Sequence, residues 1–236
     1  MYVANDCNRR ESSSIVIKIK KIINKILKIS IPKTLYFNIH YFGVKGLILP
    51  VYIGKKVELR QLKGKIRCEN FKSGVVQIGM NEMGNYPYGS TYSLFKNNGE
   101  IVFKGNALLG IGTCITNRGI ITFGDNFTIT ANSSIICRES VTFGDNVLIS
   151  WNVEIMDTDL HKIYDIDSEE LLNPDKDINI GNNVWICNNV FIGKGVSIPS
   201  NNIIANHSSI KKTITAEHSI IGNSGKIIKQ SIIWTS

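Results

Sequence analysis

Paired cysteines are missing from this sequence. Its five cysteines are odd in number and form no C-x-x-C motif: Cys7, Cys68, Cys114, Cys137 and Cys187. Structural zinc sites and the disulfide frameworks of small secreted domains depend on such pairs. We therefore expect neither of them, no bound metal, and a reducing, cytoplasmic location.

Long uninterrupted hydrophobic runs are missing as well. Residues 15–29 (IVIKIKKIINKILKI) come nearest to one, but five lysines interrupt them, which argues against a transmembrane helix or a signal peptide. Five isoleucines of this segment share one helical face and predict an amphipathic helix: Ile15, Ile19, Ile22, Ile26 and Ile29. Two interpretations stay open. The helix packs on the protein or on a neighbouring subunit, or it makes a peripheral contact with anionic lipid.

Acidic residues are fewer than basic ones: the sequence has 19 aspartates and glutamates and 27 lysines and arginines, which give a net charge of +8. This balance suits nucleic acid, anionic lipid or a phosphorylated small molecule. Aromatic residues make up only 8% of the chain and do not interleave with the lysines as in a base-stacking surface, so we do not expect nucleic-acid binding. The 236 residues are enough for one core and a small appendage.

What the sequence does contain is an internal repeat. Isoleucine recurs every six residues near the C-terminal end: Ile180, Ile186, Ile192, Ile198, Ile204 and Ile210. An α-helix would space apolar residues by three and four, and a half-buried strand would space them by two. A period of six fits neither of these. It describes a short strand followed by a corner, with one large apolar side chain per side facing a shared interior.

Upstream, the same pattern repeats in units of 20 residues. Phe103, Phe123 and Phe143 form one column, and two further columns follow: Leu109, Ile129 and Ile149, then Ile115, Ile135 and Ile155. Three columns six residues apart predict a three-sided coil, and stacked coils form an all-β, parallel β-helix. We expect an N-terminal helix and lead-in over residues 1–75, the β-helix over 76–212 with a first coil near Gln77, and a C-terminal cap over 213–236. Residues 81–99 are expected to be a loop.

One long segment interrupts the repeat. Residues 156–179 abandon the six-residue spacing and contain Asp157, Asp159 and His161 at alternate positions. In an extended backbone these three side chains point to one side, so that a carboxylate, with Asp159 as the candidate, could fix the tautomer of His161. The imidazole would then serve as a general base. An acidic surface loop with an incidental histidine is the alternative interpretation.

Three stretches of this sequence resemble the hexapeptide-repeat acyltransferases, in particular the maltose and galactoside acetyltransferases and the acetyltransferases of capsule and O-antigen gene clusters. They are FGDNVLISWNVEIMDTDLH (143–161), INIGNNVWICNNVFIGKGVSI (178–198) and IGNSGKIIK (221–229). The resemblance spans roughly residues 100–229. It implies that the β-helix is left-handed and that the protein is a homotrimer with active sites between subunits.

The resemblance also implies roles for individual residues. His161 matches the catalytic histidine, Asn132 matches an asparagine that holds the acceptor, and Trp185 matches the tryptophan of the active-site groove. Five residues match positions that contact coenzyme A: Asn188, Asn206, Lys211, Lys212 and Lys229. Cys187 departs from the family's glycine, Asn206-His207-Ser208 from its small A-G-S, and Ser224-Gly225 from its Pro-Ala.

The function implied is the transfer of an acetyl group from acetyl-CoA to a sugar hydroxyl of a surface polysaccharide or its precursor. His161 acts as the base, and no acyl-enzyme is formed. Two alternatives stay open. One is an N-acetyltransferase that acts on an amino-sugar nucleotide. The other is an inactive β-helix that serves as a scaffold or sugar-binding subunit.

Overall fold

The computed structural model describes residues 24, 26–81, 86–87 and 90–235, and within them the chain forms a three-sided prism of short parallel strands. Face 1 contains β1 (Val51–Ile53), β4 (Val76–Ile78), β7 (Ala107–Ile111), β10 (Phe127–Ala131), β13 (Leu148–Ile149), β16 (Trp185–Ile186), β19 (Ile203–Ile204), β21 (Ser219–Ile221) and β22 (Ile227–Gln230). Face 2 contains β2 (Val57–Leu62), β5 (Ser93–Asn97), β8 (Cys114–Asn117), β11 (Ser134–Cys137), β14 (Glu154–Met156), β17 (Phe191–Ile192) and β20 (Ser209–Ile210). Face 3 contains β3 (Lys65–Cys68), β6 (Glu100–Phe103), β9 (Ile120–Phe123), β12 (Ser140–Phe143), β15 (Ile178–Ile180) and β18 (Ser197–Ile198). Successive strands of a coil occupy faces 1, 2 and 3 in turn, as the three predicted columns require.

The interior of the prism is built from the predicted columns. Ile186, Ile192 and Ile204 are completely buried, and Ile129 lies in register with Ile149 in the coil above it. The phenylalanine column stacks ring on ring. The ring centroids of Phe103 and Phe123 lie 5.1 Å apart, and those of Phe123 and Phe143 lie 5.5 Å apart. Because each coil covers the apolar residues of its neighbours, the prism has one continuous core.

Asparagine makes the corners possible. Among the residues that the structure describes, seven asparagines have a positive φ between 50° and 63°: Asn126, Asn132, Asn146, Asn152, Asn183, Asn189 and Asn201. Asparagine tolerates this left-handed conformation better than other non-glycine residues. The stacked amides also bond to one another, as in the 2.9 Å contact from Asn126 Nδ2 to Asn146 Oδ1. The corners are therefore tied along the prism axis as well as through the strands.

The prism begins earlier than the sequence predicts. Strands β1, β2 and β3 form a complete coil over residues 51–68, ahead of the boundary expected at residue 76, and pair with β4, β5 and β6. Strand β5 also lies inside the segment expected to be a loop. The six-residue spacing is lost here because β2 is six residues long and its register shifts between Arg60 and Leu62. The connections after β3 and β4 are also longer than the corresponding connections of the next coil, after β6 and β7.

Helix α1 (Ile31–Phe42) and a 3-10 helix (Gly43–Ile48) precede the first coil. The buried side chains of Thr34 and Asn38 bond to the exposed backbone edge of β1. Val51 N donates to Asn38 Oδ1 over 3.0 Å, and Ile53 N donates to Thr34 Oγ1 over 3.0 Å. The helix thus provides hydrogen-bond acceptors for backbone N–H groups of β1, the first strand of face 1, whose edge would otherwise be open.

The predicted amphipathic helix over residues 15–29 falls largely outside the described residues. Among the residues that the structure does describe, no helix combines the length and the apolar character needed to cross a membrane.

The C-terminal residues 213–236 partly extend the prism rather than only closing it. Strand β21 continues face 1 in parallel with β19, and β22 turns back to pair with β21 antiparallel. The chain then returns along face 1. Trp234 Nε1 donates to Asn183 O over 2.9 Å, and its ring centroid lies 6.0 Å from that of Trp185.

Candidate active site

The interrupting segment leaves the prism at the corner between faces 2 and 3. Strand β14 ends at Met156, and β15 begins at Ile178. One coil earlier, the same corner needs only Arg138 and Glu139 between β11 and β12. Residues 157–177 therefore form an excursion from an otherwise tight turn, and we call them the 157–177 loop.

Asp157 fixes the start of this loop. Its carboxylate is fully buried and accepts hydrogen bonds from Arg138 N (2.8 Å) and Glu139 N (2.8 Å). Asn97 and Asn117 occupy the same column, and each accepts a bond from a backbone amide of its own corner, Gly99 N and Gly119 N respectively, whereas Asp157 accepts from the preceding coil. Asp157 is thus a corner residue of the prism, and it does not share an exposed side with His161 as the alternating spacing suggested.

Asp159 is anchored away from the histidine ring. Its Oδ2 accepts a 2.5 Å bond from Lys194 Nζ and a 2.9 Å bond from Asn173 Nδ2. The hydrogen bond from Lys194 is the main cause that holds the pKa of Asp159 below its ordinary value, and the bond from Asn173 adds to it. The carboxylate is therefore committed to an ion pair across the base of the loop.

His161 is held through its backbone. Its N–H donates to Asp159 O over 2.7 Å, and its carbonyl oxygen accepts a 2.8 Å bond from Asn173 Nδ2. Its side chain is exposed, and within the described part of the chain the imidazole has no hydrogen-bond partner. The expected bond from Asp159 to the ring is absent from this chain. Both ring nitrogens are available to a substrate.

Asn173 connects these elements. Asn173 donates to Asp159 and His161 as described above. In addition, its Oδ1 accepts a 2.6 Å bond from Ile163 N, and its carbonyl oxygen accepts a 3.1 Å bond from Lys194 Nζ. Asn173 and Lys194 were not predicted from the sequence. The repeat does not predict the contact of either residue with Asp159, because these contacts depend on how the loop lies against the following coil.

A cavity of about 360 Å³ lies beside the base of the 157–177 loop on face 2. Its walls combine apolar groups with charged ones: Met156, Thr158, Asp159, Lys176, Phe191, Gly193, Lys194 and Lys211. Three of these are lysines. Lys211 Nζ lies 5.8 Å from the centroid of the Phe191 ring. The cavity can therefore accept a ligand that has an apolar part and negative charge.

The two residues expected to bind the acceptor lie elsewhere on the prism. Asn132 is at the corner between faces 1 and 2, where its Nδ2 donates to Asn152 Oδ1 over 2.6 Å. Trp185 is on face 1, and its Nε1 donates to Ser150 Oγ over 3.1 Å. Neither residue lines the cavity beside the 157–177 loop.

The five residues expected to bind coenzyme A are also divided. Asn188 and Asn206 lie in successive coils at the corner between faces 1 and 2, Lys211 and Lys212 follow β20 on face 2, and Lys229 is in β22 on face 1. One chain therefore does not gather them in a single pocket. Lys211 is the one that lines the cavity at the loop.

Within the described ranges, no group of three or more His, Cys, Asp or Glu side chains converges that could hold a metal ion.

Trp234 is a further residue whose contacts were not predicted from the sequence. It forms part of the wall of a second cavity of about 300 Å³ on face 1, with Asn126, Asn146 and Asn183. Trp234 lies beyond the last repeat in the sequence, so the repeat pattern does not predict its contact with face 1.

Comparison with known proteins gives two curated relatives, and no family model matches the chain. A polysialic acid O-acetyltransferase of Escherichia coli O1:K1 / APEC is 36% identical over 77 residues, which are 33% of this chain and 25% of that protein. A polysialic acid O-acetyltransferase of Neisseria meningitidis is 50% identical over 42 residues, 18% of this chain and 20% of that protein. The chain thus matches a quarter or less of the length of these relatives.

A solved structure extends the similarity. The crystal structure of the polySia-specific acetyltransferase NeuO is similar over 76% of this chain and 72% of its own, with a TM-score of 0.58 and 25% sequence identity. The chain is therefore a left-handed β-helix similar in structure to this acetyltransferase, and the resemblance predicted from its sequence is confirmed.

Proposed function

We propose that this protein transfers an acetyl group from acetyl-CoA to a hydroxyl of a sugar in a surface polysaccharide or its precursor. The observation that carries the proposal is the 157–177 loop. It departs from a rigid prism and is tied down by contacts among Lys194, Asp159 and Asn173. It carries the exposed imidazole of His161 two residues after Asp159, which lines a cavity together with three lysines. The relatives named above, which are O-acetyltransferases by description, support the same reaction.

In this mechanism His161 acts as the general base. The acceptor hydroxyl gives its proton to a ring nitrogen of His161 while its oxygen attacks the thioester carbonyl. Collapse of the tetrahedral intermediate breaks the carbon–sulfur bond, and the imidazolium returns the proton to the departing thiolate. Direct transfer is favoured over a cysteine acyl-enzyme because the 157–177 loop contains no cysteine and none lines the cavity beside it.

The role of Asp159 is then one of positioning. Because its carboxylate bonds to Lys194 and Asn173, it holds the loop rather than the imidazole tautomer. Asn173 joins that anchor to the backbone of His161. General-base catalysis depends on placing the nitrogen within hydrogen-bond reach of the hydroxyl, so a rigid loop serves the reaction even without a carboxylate on the ring.

The donor fits the cavity beside the loop. Acetyl-CoA has an apolar, flexible arm and several phosphates, and the cavity offers the Phe191 ring with three lysines. We propose Lys211, Lys212 and Lys229 as groups that attract the phosphates, with Asn188 and Asn206 on the adjoining corner. Acetyl-CoA is a cytoplasmic metabolite, which supports the cytoplasmic location expected from the sequence.

The acceptor is proposed to be an acidic sugar polymer. Both curated relatives are described by their action on polysialic acid, and the net charge of +8 favours a polyanionic acceptor. Trp185 and Asn132 are the proposed acceptor contacts. Contact of the N-terminal segment with lipid is a separate proposal.

We further propose a homotrimer. The 157–177 loop leaves between faces 2 and 3, whereas Trp185 is on face 1 and Asn132 is at the corner between faces 1 and 2. The core separates these groups within one chain. A site that uses all of them requires a loop from one subunit beside face 1 of the next.

The test is release of free thiol from acetyl-CoA in the presence of candidate acceptors. The panel contains α-linked sialic acid oligomers, neutral oligosaccharides and an amino-sugar nucleotide. We expect turnover with a hydroxyl acceptor, and its loss by at least about a hundredfold in His161→Ala. Turnover only with the amine would favour the N-acetyltransferase. Coenzyme A binding by calorimetry without any turnover across the panel would favour an inactive binding subunit.

A further inference from the structure

The N-terminal helices expose a concentration of large apolar side chains. Val44 is 84% exposed, Leu47 61% and Tyr36 58%. The full set lies within residues 26–48, and we call it the N-terminal apolar face: Ile26, Leu27, Ile31, Leu35, Tyr36, Ile39, Val44, Leu47 and Ile48. Scattered apolar residues are normal on a protein surface, but nine large exposed ones within a stretch of 23 residues indicate an interaction site.

Helix α1 is also apolar on a side that is exposed to solvent. Thr34, Phe37 and Asn38 are buried against the first coil. Ile31, Leu35 and Ile39 are spaced by four and therefore lie in one stripe next to the buried side of the helix, where they are exposed. An ordinary surface helix shows charged residues there. The sequence has instead placed aliphatic side chains on the solvent side of a helix that already caps the prism.

The charged side chains in this part of the sequence have one sign only. Residues 12–57 contain no aspartate, glutamate or arginine, and they contain nine lysines: Lys18, Lys20, Lys21, Lys25, Lys28, Lys33, Lys45, Lys55 and Lys56. A segment with this composition is attracted to a negatively charged surface, and lysine stems can lie along apolar groups while their ammonium groups reach outward.

We propose that the N-terminal apolar face binds the surface of an anionic phospholipid membrane. Aliphatic side chains would enter the boundary between headgroups and acyl chains, and the lysines would contact the lipid phosphates. A second copy of this chain suits the face less well. A symmetric contact would bring the same lysine-rich segment of both copies together, with no carboxylate in residues 12–57 to compensate. This inference stands independently of the proposed reaction.

The test is co-sedimentation of the full chain with vesicles. We expect binding to vesicles of phosphatidylcholine mixed with the anionic lipid phosphatidylglycerol, and weak binding to vesicles of phosphatidylcholine alone. Binding should fall as sodium chloride is raised, because screening weakens the lysine contacts. Ile39→Gln with Val44→Gln should lower the partition coefficient at least about tenfold, since the variant has two fewer aliphatic side chains to bury in the membrane.

The matched control is Ile228→Gln with Ile233→Gln. These two isoleucines are 61% and 87% exposed near the C-terminal end, so the control removes a similar apolar surface from a different place. Circular dichroism checks that both double variants keep their strands. Equal binding by the two double variants, or no binding of the parent chain to anionic vesicles, would overturn the proposal. A smaller oligomer in the Ile39/Val44 variant without vesicle binding would identify the face as a subunit interface instead.

Discussion

Replacement of Asp157 tests whether the candidate loop is anchored in the prism corner. The side chain is fully buried and accepts bonds from Arg138 N and Glu139 N, both of 2.8 Å. A hydrogen bond to a charged group contributes about 1.5–3 kcal/mol to stability, so Asp157→Ala should cost about 3–6 kcal/mol if both amides stay without a partner. Water that reaches the amides would bring the cost towards the lower figure.

Asp157→Asn is the matched variant. Asn97 and Asn117 already serve the same corner in earlier coils and accept bonds from Gly99 N and Gly119 N. An asparagine at 157 keeps one acceptor oxygen, so we expect it to cost about 1–2 kcal/mol, well below the cost of alanine.

Urea denaturation followed by circular dichroism measures the difference. The midpoint of Asp157→Ala should fall by about 1 M or more, given the usual slopes of 1–3 kcal/mol per molar urea. Equal midpoints for the alanine and asparagine variants would refute the assignment of Asp157 to the corner column. So would a parent-like midpoint in the alanine variant.

Three further predictions concern the site. Asn173→Ala removes the bonds to Asp159 and His161, and it should lower kcat by roughly tenfold while KM changes little; a rise in KM alone would contradict a positioning role. His161→Ala should lower turnover by at least about a hundredfold, and Trp185→Ala should lower it by about tenfold. If each site uses two chains, a mixture of the two variants that is refolded together should regain activity. No recovery on mixing would refute the shared site. Lys212→Ala with Lys229→Ala should raise KM for acetyl-CoA and leave kcat nearly unchanged, with a penalty that shrinks as salt rises; a loss confined to kcat would show that these lysines do not hold the donor.

The fold was largely predictable because the repeat period directly encodes which residues face the core. Ile186 and Ile204 are 18 residues apart and lie in register in adjacent coils, as the six-residue pattern implies. The first coil was missed because its strands are joined by longer connections, so that Val51 and Val76 are paired although 25 residues separate them. A pattern of fixed length does not detect coils of unequal length.

The candidate site was predictable only in part, for the same physical reason. The departure from the repeat located His161, and a 20-residue spacing from Asn97 through Asn117 and Cys137 would have placed Asp157 in a buried column. The partners of Asp159 followed no such rule. Lys194 lies on the following coil, and Asn173 returns to it from within an irregular loop. Contacts of that kind depend on the path of the loop, which the spacing of residues does not specify.

The geometry of the prism also constrains how a complete site can form. His161 lies on a loop that leaves between faces 2 and 3, whereas Trp185 belongs to face 1, and the closely packed core between them prevents contact through the interior. If both residues act on one substrate, the loop of one subunit must reach face 1 of another. Such a contact joins two different surfaces, and repeated around an axis it closes into a ring. We therefore propose that oligomerisation completes the catalytic site, so that activity should be lost under conditions that separate the subunits.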